Sequence, residues 1–162
     1  MGKNYRQRRS KKNKFTFKVS EHFSKKDFYC TSGAPGLKLS MGLIGGLELL
    51  RSIVQKRITI VKGYESTEVS ERSSSYIRNY YVKGVAALIT AEDMPLDQLF
   101  QAAEQVPEFM GIGLDLTHQA VHVDTRKTEE RCLWVENKGE VIDLTDENRS
   151  KYLTDAPENT DS

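Results

Sequence analysis

Apolar residues recur along this chain with two different periods, and the periods sort its elements. In "MGLIGGLELLRSIVQK", Leu43, Ile44, Leu47, Leu50 and Val54 fall at helical spacing. That predicts a helix with one buried face, capped at its start by Ser40. Gly45 and Gly46 lower its propensity, so both are expected where a neighbour packs closely. "PLDQLFQAAEQV" repeats the period with Leu96, Leu99, Phe100 and Ala103, opened by Pro95. Ser24 is placed to cap a shorter helix carrying Phe28. The remaining apolar runs are strand-like. "RITIVKGY" is rich in β-branched residues and ends at Gly63, and "GVAALIT", "IGLDL", "AVHVDT", "RCLWVE" and "KGEVIDL" follow, the last after a turn at Lys138–Gly139. The longer stretch "RNYYVKGVAALI" reads as a strand with a glycine in it, Gly84 and Ala86 lying between Tyr81 and Leu88. In "AVHVDT", alternation puts His122 and Asp124 on one side. Helices interspersed with strands, without regular βαβ spacing, predict an α+β domain with a small, mostly antiparallel sheet flanked by helices.

Composition leaves that picture unchanged and bounds the partners. The chain has 162 residues, 38% hydrophobic and 29% charged, which fits one ordinary globular domain. No apolar run approaches the length of a bilayer span. The first residues lack the apolar stretch of a secretory signal, and Arg6 stands where myristoylation requires Ser or Thr, so the expected compartment is the cytoplasm. Two cysteines, Cys30 and Cys132, make neither a disulfide framework nor a zinc knuckle and are expected to be reduced and buried.

Charge divides the chain more sharply than the net value of +1 suggests. Residues 1–18 carry Lys3, Arg6, Arg8, Arg9, Lys11, Lys12, Lys14 and Lys18 and no acid, whereas "TDAPENTDS" closes the chain with acidic and polar residues. The expected organisation is a disordered basic arm over 1–17, a folded domain over 18–145 and a polar acidic tail over 146–162. The arm from Lys3 to Lys18 can meet nucleic acid or another anionic surface through phosphate contacts. No aromatic–basic interleaving or recognition motif follows it.

Candidate chemistry is sparse. Asp115, His118, His122 and Asp124 in "DLTHQAVHVD" are metal-ligating residue types, but their spacing is not that of a familiar zinc motif. His118 falls in the turn before the strand and need not share its face, and His22 reads as a surface or core histidine. There is no glycine-rich phosphate loop, and the serines lack His and acid partners at known spacings.

Four segments in order resemble the zinc D-alanyl-D-alanine carboxypeptidase-like domains, of the superfamily shared with lysostaphin-type peptidases and the hedgehog signalling domain. "VSEHFSKKDFYC" resembles their opening. "ITIVKGYES" resembles "I-x-I-x-S-G-Y-R-S", and "YVKGVAALI" resembles "H-x-x-G-x-A-x-D-I". "MPLDQLFQAAEQVPEFMGIGLDLTHQAVHVDTR" is similar to the closing helix, the "G-I-G" strand and the "F-V-H-V-D-x-R" strand. Trp134 falls where the family often has a tryptophan, and the likeness covers residues 18 to 136. In that family two histidines and an aspartate hold zinc, a carboxylate near the last histidine acts as general base, and an arginine holds the substrate carboxylate.

Aligned on Gly84 and Ala86, this chain departs at nearly every one of those positions. Tyr81 and Leu88 stand at the first histidine and the aspartate, Gln119 at the base, Glu65 at the arginine, and Asn79 at a preceding serine. His122 alone is retained. Leucine cannot ligate zinc, and glutamine cannot take a proton at neutral pH. The resemblance therefore implies a degenerate member of the hedgehog/DD-peptidase-like fold: a pseudopeptidase with no catalytic residues, metal or cofactor. Its scaffold is expected to act as a protein-interaction or structural module. Glu65, Tyr81, His122, Asp124, Arg126 and Trp134 would line the old cleft. His122 is expected to hydrogen-bond across that cleft, and Asp124 and Arg126 to form an ion pair. One alternative is binding of cell-wall peptide (peptidoglycan) in the cleft, against which Glu65 and the missing secretion signal both count. Another is an active metallopeptidase with zinc relocated to Asp115, His118 and His122. Family analogy points to a bacterial or phage source, and to a virion component in the phage case. The alignment requires residues 65, 81, 88, 119 and 122 to converge.

Overall fold

The computed structural model describes residues 18–29, 38–65 and 78–154. The basic arm up to residue 17, residues 30–37 including Cys30, residues 66–77 and the last eight residues lie outside the described residues.

α1 (Lys25–Phe28) is one turn, opened by Ser24, whose backbone N–H and hydroxyl donate to Asp27 at 2.7 and 2.9 Å. α2 (Met41–Val54) starts where the Ser40 hydroxyl accepts the Leu43 N–H and stops at Gln55, a left-handed residue with φ 54°. Of its paired glycines, Gly46 behaves as expected: a Cβ there would lie 2.5 Å from the Phe109 ring. Gly45 faces open space, so its expected packing role is not found.

β1 (Ile58–Lys62) follows, then α3 (Arg78–Val82) and β2 (Ala86–Ala91). α3 corrects the single-strand reading of "RNYYVKGVAALI". Its first half is a helical turn, and the chain reverses at Gly84 with φ +70° before β2 begins. A side chain at Gly84 would put its Cβ 2.0 Å from the Lys38 carbonyl oxygen, so the left-handed turn and the close approach both require glycine. The Gly84 carbonyl accepts the Ser40 N–H at 2.8 Å, which ties this turn to the start of α2.

α4 (Leu96–Glu104), β3 (Gly111–Asp115), β4 (Ala120–Asp124), β5 (Cys132–Asn137) and β6 (Glu140–Asp143) complete a mixed sheet of six strands in the order β1-β2-β4-β3-β5-β6. Only β3 and β5 run parallel, and the other neighbours are antiparallel. The fold is α+β, as the interspersed pattern predicts. On one face Ala87, Ile89, Ile112, Leu114, Val121 and Val123 form the main core with Leu43, Leu47 and Leu50 of α2 and Leu99, Phe100 and Ala103 of α4.

The packed chain also extends past residue 145, the expected end of the domain. α5 (Arg149–Tyr152) lies against α4 through a two-pronged Arg149–Glu104 ion pair, and Leu153 is buried in the main core. Thr154 is held by Gln101 at 2.6 Å and by Asp97. The acidic tail expected from 146 is thus folded at least to Thr154, because Tyr152 and Leu153 supply apolar surface that the polar composition hides. Among the described residues no helix is long and apolar enough to cross a membrane.

Candidate functional site

The opposite face of the same sheet carries polar residues, and their positions follow from strand register. Leu88 of β2 pairs directly with His122 of β4, and Ala86 pairs with Asp124. On the other side of β4, Gly113 pairs with His122 and Gly111 with Asp124. Trp134 of β5 lies opposite Gly113. The two β3 glycines leave room for their neighbours. A Cβ on Gly113 would lie 2.3 Å from the Trp134 ring, and one on Gly111 would lie 2.3 Å from the Asp124 carboxylate. β1 reaches this face through an irregularity. Ile60 pairs with Ile89, but Lys62 pairs with Leu88, so one extra residue is accommodated around Val61. An unbroken register would have set Lys62 opposite Ala87, on the apolar side.

His122 sits at the centre with both ring nitrogens engaged. Tyr81 Oη lies 2.8 Å from Nδ1, and Asp124 Oδ2 lies 2.6 Å from Nε2. Burial lowers the His122 pKa, against the opposing pull of Asp124, and so favours the neutral imidazole. A neutral ring has one N–H. Asp124 can only accept, so the proton belongs on Nε2, and Nδ1 accepts the Tyr81 hydroxyl. Tyr81 keeps its proton. Burial, then the charges of Asp115 and Asp124, raise its pKa well above the ordinary phenol value.

Asp124 is fully buried and accepts on both oxygens. Oδ1 takes the Arg126 backbone N–H and Nε at 3.1 and 2.8 Å, and Oδ2 takes Arg126 Nη2 at 2.7 Å beside His122. Burial alone would raise this carboxyl, but the hydrogen bonds from Arg126 and His122 outweigh it and hold the pKa at about 2. The Arg126 guanidinium lies between two rings, 4.3 Å from Tyr80 and 5.1 Å from Trp134. His122 packs against the same indole with ring centroids 5.0 Å apart.

At the β1 side, Lys62 Nζ lies 4.4 Å over the Tyr81 ring and 3.1 Å from Glu65 Oε2. Glu65 is buried, and its N–H reaches the Tyr81 carbonyl. Glu65, Tyr81, Leu88 and His122 therefore converge as the alignment requires. Gln119 does not: it occupies a left-handed turn position with φ 53°, and its exposed amide caps the Leu116 carbonyl.

Three further expectations can be placed. The six residues expected to line a cleft, Glu65, Tyr81, His122, Asp124, Arg126 and Trp134, are all at most 9% exposed, so they form a packed cluster in place of an open groove. Tyr81 fills volume beside His122, and the planar groups of Tyr80, Arg126 and Trp134 cover Asp124. Asp115 and His118 pair with each other at 2.8 Å, with His118 largely exposed, and neither bonds to His122. Among the described residues no three His, Cys, Asp or Glu side chains are grouped to hold a metal ion. Cys132 is a free thiol, half-buried beside the cluster.

The donors here do not fit zinc. Leu88 has no donor atom, Tyr81 holds its proton, and both His122 nitrogens are already bonded. Tyr80 and Lys62 escaped sequence reasoning: Tyr80 falls on no motif position, and Lys62 stands at the motif's first serine, which carries no ligand role. Arg131 did as well. Its guanidinium donates to the carbonyls of Glu104, Val106 and Phe109 at 2.6, 2.9 and 2.8 Å, fixing the chain between α4 and β3. Comparison with protein-family models, with curated proteins and with solved structures finds no match to this chain.

Proposed function

We propose that this chain is a noncatalytic relative of the zinc D-alanyl-D-alanine carboxypeptidase-like domains, acting as a protein-interaction or structural module. The observation that carries the reading is the pairing around His122. The residues at all three zinc-ligand positions meet, Leu88 directly opposite His122 and Tyr81 hydrogen-bonded to it. They meet as an apolar side chain, a protonated phenol and a fully bonded imidazole. Convergence at the three ligand positions supports the alignment there, Gln119 departs from it at the base position, and the identity of the residues supports loss of the reaction. Burial of the cluster favours a structural role for it over peptide binding in the old cleft. The reading places the chain's function on its surfaces, whatever its source or compartment.

The test is a gain of metal. Purified wild-type chain should carry no stoichiometric zinc and should not cleave a peptide ending in D-Ala-D-Ala. The double variant Tyr81→His, Leu88→Asp should take up one zinc per chain, because the two new donors flank His122. Zinc in the wild type at one per chain, removed by His122→Ala, would overturn the loss of the site. A double variant that folds but binds no zinc would overturn the alignment.

A further inference from the structure

The sheet's first edge carries a second feature, remote from the His122 cluster. A cleft of about 460 Å³ separates β1 from the segment that holds α1, lined by Ile58, Thr59 and Ile60 on one wall and by Phe23, Ser24 and Asp27 on the other. β1 is the terminal strand, paired only with β2. The Glu92 N–H donates to the Arg57 carbonyl, which sets the alternation of the antiparallel ladder. Arg57 and Thr59 then turn their peptide groups toward β2, whereas Ile58 and Ile60 turn theirs outward into the cleft. No backbone hydrogen bond from any described residue meets those groups.

The charge around this free edge is unevenly satisfied. Asp27 is taken by the Ser24 N–H and hydroxyl, and Glu48 by His22 at 2.7 Å. Glu21 lies 3.9 Å from His22. Arg51 and Arg57 also border the cleft, and neither guanidinium has a hydrogen bond or ion pair with a described residue. Lys18 donates only to a carbonyl, that of Glu21. Lys18, Arg51 and Arg57 outnumber the carboxylates Glu21 and Asp27 around the cleft, a net charge of +1 with His22 neutral, and this positive balance flanks a row of uncommitted peptide groups.

We propose that this cleft takes an extended acidic peptide segment of a partner protein, added to β1 as a further strand. Main-chain hydrogen bonds to Ile58 and Ile60 would give register, and alternate carboxylates would meet Arg51 and Arg57. A cleft of this volume holds only a few residues, so the site reads a short motif. The proposal stands apart from the zinc-site reading, since no residue is shared between the two.

The test uses the full chain and a capped hexapeptide of alternating Asp and Val, followed by NMR and amide hydrogen exchange. The acidic peptide should shift and slow the Ile58 and Ile60 amides. The Arg51→Glu, Arg57→Glu double variant should bind it about tenfold more weakly. Unchanged Trp134 fluorescence in that variant would show that the fold is intact. A Lys–Val hexapeptide should not bind. Four outcomes would overturn the proposal: no response at those amides with millimolar peptide, equal binding of the lysine peptide, the same response to inorganic phosphate alone, or a chain already dimeric with both amides protected. The last would assign the edge to a second copy.

Discussion

β2, β3, β4 and β5 contribute to both faces of the sheet, and the two faces are held by opposite means. Under α2 and α4 the strands present Ile89, Ile112, Leu114, Val121 and Val123, whose attraction is non-directional and scales with area. Each fully buried side chain of this kind contributes about 1.5–3 kcal/mol, and exchange for another apolar side chain of equal volume should cost little. One residue along, the same strands present His122, Asp124 and Trp134, joined by Arg126 just past the end of β4. Here each group is neutralised or bonded by one particular partner. Such a cluster adds little when complete and costs much when one member is removed. The difference teaches that a buried polar face is held by pairing and an apolar one by area.

The comparison is broken most directly at Asp124. Asp124→Ala leaves the Arg126 guanidinium buried and unpaired, and urea unfolding should show a loss of about 3–5 kcal/mol. Swapping Leu114 for Met, on the apolar face, should stay below about 1.5 kcal/mol. Equal losses at the two positions would remove the distinction between the faces.

Of the two sheet faces, the polar one carries the groups on which acid should act. The Asp124 carboxyl titrates near 2 in the folded chain, against an ordinary value of about 3.9. Its contribution is therefore complete above about pH 4 and is lost as pH falls toward 2, a change on the order of 2 kcal/mol. His122 adds to this earlier in the descent. Its folded pKa is lowered, so the unfolded chain takes the proton first and stability begins to fall below about pH 6.5. Urea midpoints measured from pH 7 to 2 should show both phases, and His122→Gln should remove the upper one.

Tyr81→Phe is subtler, because it keeps the ring under Lys62 and removes only the hydroxyl. The His122 Nδ1 acceptor is then stranded, at a cost of about 1–2 kcal/mol. His118→Ala should be the smallest change, within about 0.5 kcal/mol, since its pair with Asp115 is largely exposed. A larger loss at His118 than at Tyr81 would place the polar anchor of this face elsewhere.

Most of the sheet was legible in the sequence because its central strands alternate cleanly, and the same alternation placed His122 and Asp124 together. Tyr81 was harder. Tyr80, Tyr81 and Val82 have strand propensity, and only the left-handed turn at Gly84 and the tie from Ser40 hold them in a helix. The closure of the cluster was not legible at all. It depends on Tyr80, forty-six residues before Arg126 in the chain, and on two glycines whose function is to leave space for Trp134 and Asp124. The end of the domain was misplaced because two apolar residues, Tyr152 and Leu153, sit within a polar stretch and pack only through tertiary contacts.

The irregularity around Val61 can be understood as a phase inversion. Inside and outside alternate along a strand like the two states of a signal, and one added residue inverts every state after it. Upstream of Val61, β1 delivers Ile58 and Ile60 to the oily side. Downstream, with no change in the kinds of residue available, it delivers Lys62 to the charged side and leads on to Glu65. Straightening β1 with Val61 kept in the ladder would be a frameshift of the fold, setting Lys62 opposite Ala87, while leaving the genetic code in frame. An ammonium would be driven into the packed interior, and the tyrosine that covers His122 would lose the cation above it.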